Sequence, residues 1–494
     1  MKKVLLLSLI IIVSLLFFLL FNDKGNEYLK PYVARYLESK AEQNITVQVE
    51  HLKIDYNYIE LTALLNKLTT IHTYGEVLIL NKKLNLNYTL SFIDKIDMNG
   101  TLKGTFDNIK ITGKGDALQS QLNYDLNYQN KSLHNIHIKI SKADISELLL
   151  LTAQPAYANG EMDIDITIPK FDMNKSTGEA HMVLYDTTLN EKVINREFKT
   201  KLPKNTKLKG VLNSTINNNQ IAFHSTLKSN LATLKLEEAH YHLNSNDFFS
   251  NYHLNIPKLS RLNRVVGKNL KGKLSLDGKI KFNKTLLLTG NTKDLGGLLN
   301  FKLHNEELTS HINKVSVEKL MYLLEYPQIF KATINGDFNY NQKTRQGTFN
   351  SKLNQAQLLP NALTQLVQQV RGVDLTKERY NKTTFIAHLN EDTIHFDFNA
   401  KSRKVLISLP NAEVNKLTNS INADYKLKIE KREIEGKIQG DITKPHITID
   451  SSKFIQEQIF ETITDSVGED KLKELGIGKK ERETIKNILG DLFK

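Results

Sequence analysis

Hydrophobic and polar residues alternate one by one along most of this chain. Between Gly336 and Leu353, Phe338 and Tyr340 alternate with polar residues, and Phe349 and Leu353 do so again after the polar turn NQKTRQ. Successive side chains of a strand point to opposite faces of a sheet, so this stretch predicts a β-hairpin with one apolar face. We expect Gly336 to lead its first strand.

The same pattern recurs at irregular intervals. Gly160 leads a stretch in which Met162, Ile164 and Ile166 alternate with charged and polar residues, and Gly178 follows after the turn KFDMNKST. Regular alternation bounded by polar turns is typical of antiparallel strands, and its recurrence predicts a long repetitive sheet with a continuous apolar face. Two other alternating runs are Leu84, Leu86, Tyr88, Leu90, Phe92 and Leu122, Tyr124, Leu126, Tyr128.

Short helical patterns interrupt the strands. Segments 142–151, 256–266 and 314–324 each combine an apolar residue, a spacer and a leucine-rich or valine-rich turn. The stretch Leu358–Arg371 has apolar residues at helical spacing after Pro360, which predicts a helix that packs an apolar stripe on the sheet. The expected fold class is therefore mostly β, with short helices between the strands.

An uncharged apolar run, Val4–Phe21, follows Met1 and two lysines. Eighteen residues in a helix cross most of the hydrocarbon thickness of a bilayer. Large residues at the end of the run favour an uncleaved membrane anchor over a cleavable signal peptide. The two lysines favour a cytoplasmic N-terminus, which would place the bulk of the chain in a periplasm.

Four segments follow from these patterns. Residues 1–25 form the predicted membrane anchor, 26–44 a juxtamembrane amphipathic helix, and 45–450 the strand-rich region, of which 383–450 are the last repeats. Residues 451–494 form a helical tail with an apolar stripe that suits capping of a sheet edge, contact with a partner or contact with a membrane.

Composition excludes several classes of protein. The chain has no cysteine, which excludes disulfides, thiolate metal sites and cysteine nucleophiles. Its formal net charge is +13, but the lysines are scattered over strand faces and are not gathered in an arm or a helix. This distribution argues against nucleic acid as a partner.

Motifs of common enzymes are missing from the sequence, which has no G-x-S-x-G elbow, P-loop or H-E-x-x-H. His134 and His137 are three apart in an alternating strand and are expected on opposite faces. His240 and His242 are expected on one face, without a third ligand nearby. We therefore expect no catalytic residues, no metal site and no cofactor, and we predict that the protein is not an enzyme.

The last strands carry a more specific pattern, G-x-I-x-G-x-I-x-x-P-x-I-x-I-D, from Gly436 to Asp450. With the N-terminal anchor, the helix and strand that follow it (Ile45–Val49), and the glycine-led strands, the chain resembles the AsmA-like family of envelope proteins. Segment 383–398 is also similar to the last repeats of that family. The family belongs to the bridge-like lipid-transfer proteins.

This resemblance implies an elongated, curled antiparallel sheet that forms a β-groove, anchored in the inner membrane of a Gram-negative bacterium and located in the periplasm. It implies transport of phospholipid and a role in biogenesis and lipid homeostasis of the outer membrane. The partners would be membrane phospholipids, the inner membrane through the N-terminal helix, and an outer-membrane or other envelope protein. The candidate groove residues are Leu86, Tyr88, Leu90, Met162, Ile164, Ile166, Phe338, Tyr340, Phe349, Phe396 and Phe398, and the anchor runs from Val4 to Phe21.

One alternative belongs to a different class of function. If two sheets face each other, the same apolar positions fill a closed β-sandwich, and the protein would be an envelope scaffold or an assembly factor for outer-membrane proteins. Alternation within strands is identical in the two cases. The sequence therefore leaves both hypotheses open.

Overall fold

The structure, a computed structural model, describes residues 21–40 and 45–450, apart from 94–95, 118, 131, 173–176 and 431. It is mostly β, with 62% of residues in strands, and its 27 strands form one antiparallel sheet that is not closed. The predicted mostly-β class with short helices is confirmed at this level. Contacts divide the chain into two compact units, residues 1–251 (unit 1) and 252–494 (unit 2).

The first described element of unit 1 is a helix, α1 (Asp23–Lys40), which corresponds to the predicted juxtamembrane helix. Two short helices, α2 (Ile145–Leu151) and α3 (Glu191–Phe198), lie between its strands. Its strands are β1 (Val47–Asp55), β2 (Tyr58–Leu65), β3 (Thr69–Leu78), β4 (Lys83–Phe92), β5 (Ile96–Thr105), β6 (Asn108–Ala117), β7 (Ser120–Gln129), β8 (Ser132–Asp144), β9 (Ala158–Asn159), β10 (Glu161–Phe171), β11 (Thr177–Leu189), β12 (Lys207–Asn217), β13 (Gln220–Ser229) and β14 (Thr233–His242); β15 (Asp247–Ile256) contains the boundary between the units.

Most strands of unit 1 pair with the next strand in the chain, as a meander requires. The exceptions surround the two-residue strand β9, which pairs with the end of β11, while β8 pairs directly with β10. The side chain of Asp144 caps α2 by accepting a hydrogen bond from the backbone N–H of Glu147 at 3.0 Å. The predicted helix in segment 142–151 is confirmed.

The described residues of unit 2, which end at 450, contain three helices, α4 (Asn263–Val266), α5 (Val317–Leu323) and α6 (Ala362–Arg371), and two short 3-10 helices, Leu259–Leu262 and Leu375–Lys377. Its strands are β16 (Leu274–Asn283), β17 (Thr285–Thr292), β18 (Leu298–His304), β19 (Glu307–Ser316), β20 (Phe330–Asn341), β21 (Gln346–Leu358), β22 (Lys382–Leu389), β23 (Thr393–Lys401), β24 (Val405–Asn415), β25 (Ser420–Ile429), β26 (Arg432–Asp441) and β27 (His446–Ile449).

The core of unit 2 lies beneath α6. A reciprocal capping box starts this helix: Asn361 accepts from the backbone N–H of Thr364 at 3.1 Å, and Thr364 accepts from the backbone N–H of Asn361 at 2.9 Å. Leu363 and Val367 of α6 are 8% and 1% exposed and belong to the same apolar cluster as Tyr425. The predicted helix in segment 358–371 is confirmed over Ala362–Arg371, whereas Leu358 is the last residue of β21.

The hairpin that illustrated the sequence pattern is present, with its polar turn between Asn341 and Gln346, but its first strand begins at Phe330. Gly336 therefore lies inside β20, not at its start. It faces Ser351 on β21, and a Cβ atom at this glycine would lie 2.7 Å from the Ser351 Cβ. The glycine permits close approach of two strands instead of opening one.

Most residues of the two predicted terminal segments lie outside the part of the chain that the structure describes. Of the apolar run Val4–Phe21, Phe21 is the one described residue; residues 23–25 of the predicted anchor segment lie in α1, and the predicted tail, 451–494, is not described. Within the described part of the chain, no helix combines the length and apolar character needed to cross a bilayer.

Candidate functional site

A single row of small and apolar side chains crosses ten strands of unit 1, β4 to β8 and β10 to β14. Residues directly opposite each other in a sheet point to the same face, so register partners define the row. Ser214 is its one hydroxyl apart from the two tyrosines. In order of strands, this central row is Tyr88, Gly100, Gly113, Tyr124, Ile138, Ile166, Ala180, Ser214, Phe223 and Ala239.

Two further rows lie on the same face, on either side of the central row. One passes through Leu86, Leu102, Ile111 and Leu126. The other passes through Leu90, Met98, Gly115, Leu122, Ile140, Ile164, Met182 and Leu212. We call the three rows together the apolar face of unit 1.

All six candidate residues in unit 1 lie on this side of the sheet. Tyr88 and Ile166 lie in the central row, Leu86 in the second, and Leu90 and Ile164 in the third. Met162 points the same way and pairs with Leu184. The candidate list omitted other members of the rows, Leu102, Ile138, Met182, Leu212 and Phe223, although alternation in their strands gave the same signal.

The apolar face of unit 1 is only partly covered. Leu148 of α2 packs against a small cluster around Ile164 and Ala143, of which Ile164 is 6% exposed. Most other members, including Ile166 and Leu212, are half-buried. Solvent therefore still reaches part of the face.

Tyrosine rings cover glycines within the central row. Tyr88 lies opposite Gly100, and a Cβ on Gly100 would lie 2.9 Å from the Tyr88 hydroxyl oxygen. Tyr124 covers Gly113 in the same way, and the two hydroxyls form a hydrogen bond across the glycine pair. Burial raises the pKa of both tyrosines, so both stay neutral and this part of the face carries no charge. Gly100 and Gly113 thus make room for aromatic rings.

Unit 2 also has an aromatic row, which contains most of its candidate residues. Phe338 lies opposite Phe349, with ring centroids 6.3 Å apart, and Phe385 lies 5.9 Å from Phe349 and 5.2 Å from Phe396. Tyr340 stacks on Phe338 at 6.1 Å. These contacts place the predicted residues side by side on one face.

The candidate Phe398 differs from these residues because it lies in the core. It is 9% exposed, and its ring is 5.3 Å from that of Phe330. The same apolar cluster contains Val367 of α6 and the fully buried Tyr380. In this part of unit 2, protein side chains therefore occupy the apolar face.

The opposite face of unit 1 is polar and contains cross-strand pairs. His137 lies 2.9 Å from Asp165 and 3.6 Å from Asp125. Asn213 lies between His181 and His224, with its Nδ2 2.9 Å from His224 Nε2. A concavity of about 500 Å³ is lined by polar-face residues, among them Asp165, Glu179, His181, Asn213, His224 and His240, and also by Ala180, Ser214, Phe223 and Ala239 of the central row.

One sequence prediction about histidines is wrong. Asn135 has a positive φ of 49° and is an extra residue in β8, so His134 pairs with Asn127 while His137 pairs with Asp125. Both histidines consequently lie on the polar face, not on opposite faces. Within the described ranges, however, no group of three or more His, Asp or Glu side chains could hold a metal ion.

Comparison with known proteins gives no identity. No family model matches the chain, and no curated protein matches it. The arrangement of side chains is therefore the basis for a functional hypothesis: a broad, uncharged, partly open face whose chemistry suits binding of apolar chains.

Proposed function

We propose that this protein is an AsmA-like, inner-membrane-anchored periplasmic protein that binds phospholipid acyl chains on the apolar face of unit 1 and conducts them along it. In this proposal the sheet curls into a β-groove, and the protein contributes to lipid homeostasis of the outer membrane. It acts without catalysis, cofactor or nucleic acid. An outer-membrane or other envelope protein would receive or supply the lipid.

The continuity of the central row supports this proposal most strongly. At a strand spacing of about 4.8 Å, its ten strands span roughly 43 Å along the sheet, with no charged side chain among its members. Exposing an acyl chain of about sixteen carbons to water costs about 13 kcal/mol, at about 0.8 kcal/mol per methylene. A continuous apolar row offsets this cost at every step of a sliding movement.

Partial exposure is the second argument. A face that serves only as a core is covered by other side chains, as Val367 and Leu363 cover part of the sheet in unit 2. In unit 1, Ile166 and Leu212 are half-buried, and the cluster that Ile166 packs against contains one helix residue, Leu148 of α2. Exposed contiguous apolar area on a folded protein is typical of a binding surface.

The alternative function, an envelope scaffold or assembly factor, draws support from unit 2. Its large cluster under α6 includes the candidate Phe398 and resembles the closed core that this hypothesis requires. The two hypotheses differ in what they require of unit 1. Lipid binding needs acyl chains on its apolar face, whereas a scaffold needs none there.

Photo-crosslinking of the full-length chain in Gram-negative cells separates the two. Benzoylphenylalanine is placed at Ile166 or Leu212 on the apolar face, and at their sequence neighbours Thr167 or Asn213 on the polar face. With phosphate-labelled lipids, we expect phospholipid adducts at the first two positions and none at the neighbours. Equal labelling on both faces, or no labelled lipid at Ile166 and Leu212, would contradict lipid binding.

A further inference from the structure

The helix α1 has two faces with different roles, and the inner face binds the edge of the sheet. Among the strands that the structure describes, the first strand, β1, pairs with β2 on one side only. On its other side, Asn26 bonds both backbone groups of Ile54, at 3.3 and 3.5 Å, and Lys30 Nζ donates to the carbonyl of Glu50 at 2.7 Å. Side chains of α1 therefore satisfy backbone groups that an edge strand leaves open.

Glu38 completes this contact near the other end of the helix, where its Oε1 accepts from the backbone N–H of Val47 at 2.8 Å. The contacts follow β1 in reverse order along α1, so the helix lies antiparallel to the strand. Its position relative to the sheet is fixed over most of its length.

The outer face of α1 presents three tyrosines. Tyr28, Tyr32 and Tyr36 are four residues apart and are 64%, 50% and 62% exposed. Four-residue spacing places them in one stripe that extends about 12 Å along the helix. Arg35 lies over the Tyr32 ring at 4.8 Å, and Lys40 lies over the Tyr36 ring at 5.7 Å.

This tyrosine stripe is an unusual surface for contact with water alone. Exposed tyrosines with cations beside them are the chemistry of the membrane interface, where the ring lies among lipid glycerol groups and the cation meets phosphates. Glu27, an acidic residue beside the stripe, pairs with Lys30 at 2.5 Å. The outer face thus offers aromatic and basic groups together.

The position of α1 in the chain indicates which surface covers the stripe. The apolar run Val4–Phe21 ends two residues before Asp23, the first residue of α1. Phe21 and Asn22 form a bend, and Asn22 accepts from the backbone N–H groups of Lys24 and Asn26 at the start of the helix. A run that enters a bilayer therefore places the start of α1 at the bilayer surface.

We propose that α1 lies in the headgroup layer of the membrane, with Tyr28, Tyr32 and Tyr36 facing the lipid and the edge strand β1 on its other side. This inference rests on the membrane anchor in the proposed function. It adds an interfacial contact that fixes the first strand of the sheet at the membrane surface.

The chain contains no tryptophan, so a single introduced tryptophan is a unique fluorescent probe. Full-length Tyr32→Trp is reconstituted in vesicles of phosphatidylethanolamine and phosphatidylglycerol, with and without lipids brominated near the headgroup end of the acyl chains. We expect blue-shifted emission, strong quenching by the brominated lipids, and acrylamide quenching several-fold weaker than at the control. The control is Tyr322→Trp, which is 53% exposed on α5.

Equal acrylamide quenching at the two positions, without quenching by brominated lipid, would overturn the inference when the protein floats with the vesicles. A protein that does not float with them overturns it by removing the anchor on which it rests. Neither result bears on whether lipid crosslinks to Ile166, so failure of the groove and failure of the α1 contact are distinguishable.

Discussion

Replacing Ile166 by aspartate places a charge in the middle of the central row. Ile166 is half-buried between its register partners Ile138 and Ala180, and both neighbours are apolar. A carboxylate there keeps its hydration shell, so an acyl chain that passes over it must leave that part of the face or desolvate the charge. We expect Ile166→Asp to weaken lipid binding more than it weakens folding.

The size of the expected loss of lipid affinity follows from the spacing of the strands. One strand interval of about 4.8 Å corresponds to roughly three to four methylenes of an extended acyl chain. Leaving these in water costs about 3 kcal/mol at about 0.8 kcal/mol each, which corresponds to about a hundredfold loss of affinity. The expected loss of folding stability is smaller, about 1–2 kcal/mol, because the site is half-buried and the carboxylate can remain hydrated in the lipid-free protein.

Thr167→Asp is the matched control, since it introduces the same charge one residue away on the exposed polar face. Both full-length variants are extracted in mild detergent, and phospholipid per chain is measured by native mass spectrometry. Urea unfolding measures their stabilities in parallel. We expect lipid to be lost from Ile166→Asp and retained by Thr167→Asp.

Two results would refute the reasoning. Normal lipid occupancy in a folded Ile166→Asp variant would mean that acyl chains do not pass over the central row. Equal loss of lipid in both variants would mean that charge, and not the apolar face, controls binding.

Three other predictions concern stability. Gly100→Ala should destabilise unit 1 by about 1–3 kcal/mol in urea unfolding, because the added Cβ would overlap the backbone carbonyl of Thr112. Burial raises the pKa of Tyr425 from 10.0 to about 12. Between these pH values the tyrosine loses its proton in the unfolded chain and keeps it in the folded protein. The free energy of unfolding should therefore fall by about 1.4 kcal/mol per pH unit. This fall should be smaller in Tyr425→Phe, which has no hydroxyl to titrate. Glu38→Ala removes the acceptor of the Val47 N–H, and we expect faster hydrogen exchange at that amide and a loss of about 1 kcal/mol in local stability.

Alternation in the sequence predicted most strands and the face on which each side chain lies. Met162, Ile164 and Ile166 share a face because the period of two is a local property of the extended backbone. The helices in segments 142–151 and 358–371 were predictable for the same reason, because the spacing of apolar residues along a helix is also a local property of the backbone. The stripe on α1 was equally available in the sequence as tyrosines at spacing four, but it was not recognised.

Local β-bulges limited the predictions that were based on strict alternation. The single extra residue Asn135 moved His134 to the same face as His137, and strict alternation cannot anticipate it. The role of Gly336 was misjudged for a related reason, because a glycine within a strand and a glycine before it have the same sequence pattern. Only the pairing with a neighbouring strand shows whether a glycine lies within a strand or before it.

The sequence by itself determined that this chain forms antiparallel strands with one apolar side, because strand geometry depends on neighbouring residues. The tertiary structure decided which residues meet across strands and which apolar surface is covered. Tyr88 and Tyr124 are thirty-six positions apart, yet their hydroxyls meet over two glycines, and Val367 is buried because α6 folds back on the sheet. Such contacts depend on register and on non-local packing, which period-two alternation does not encode.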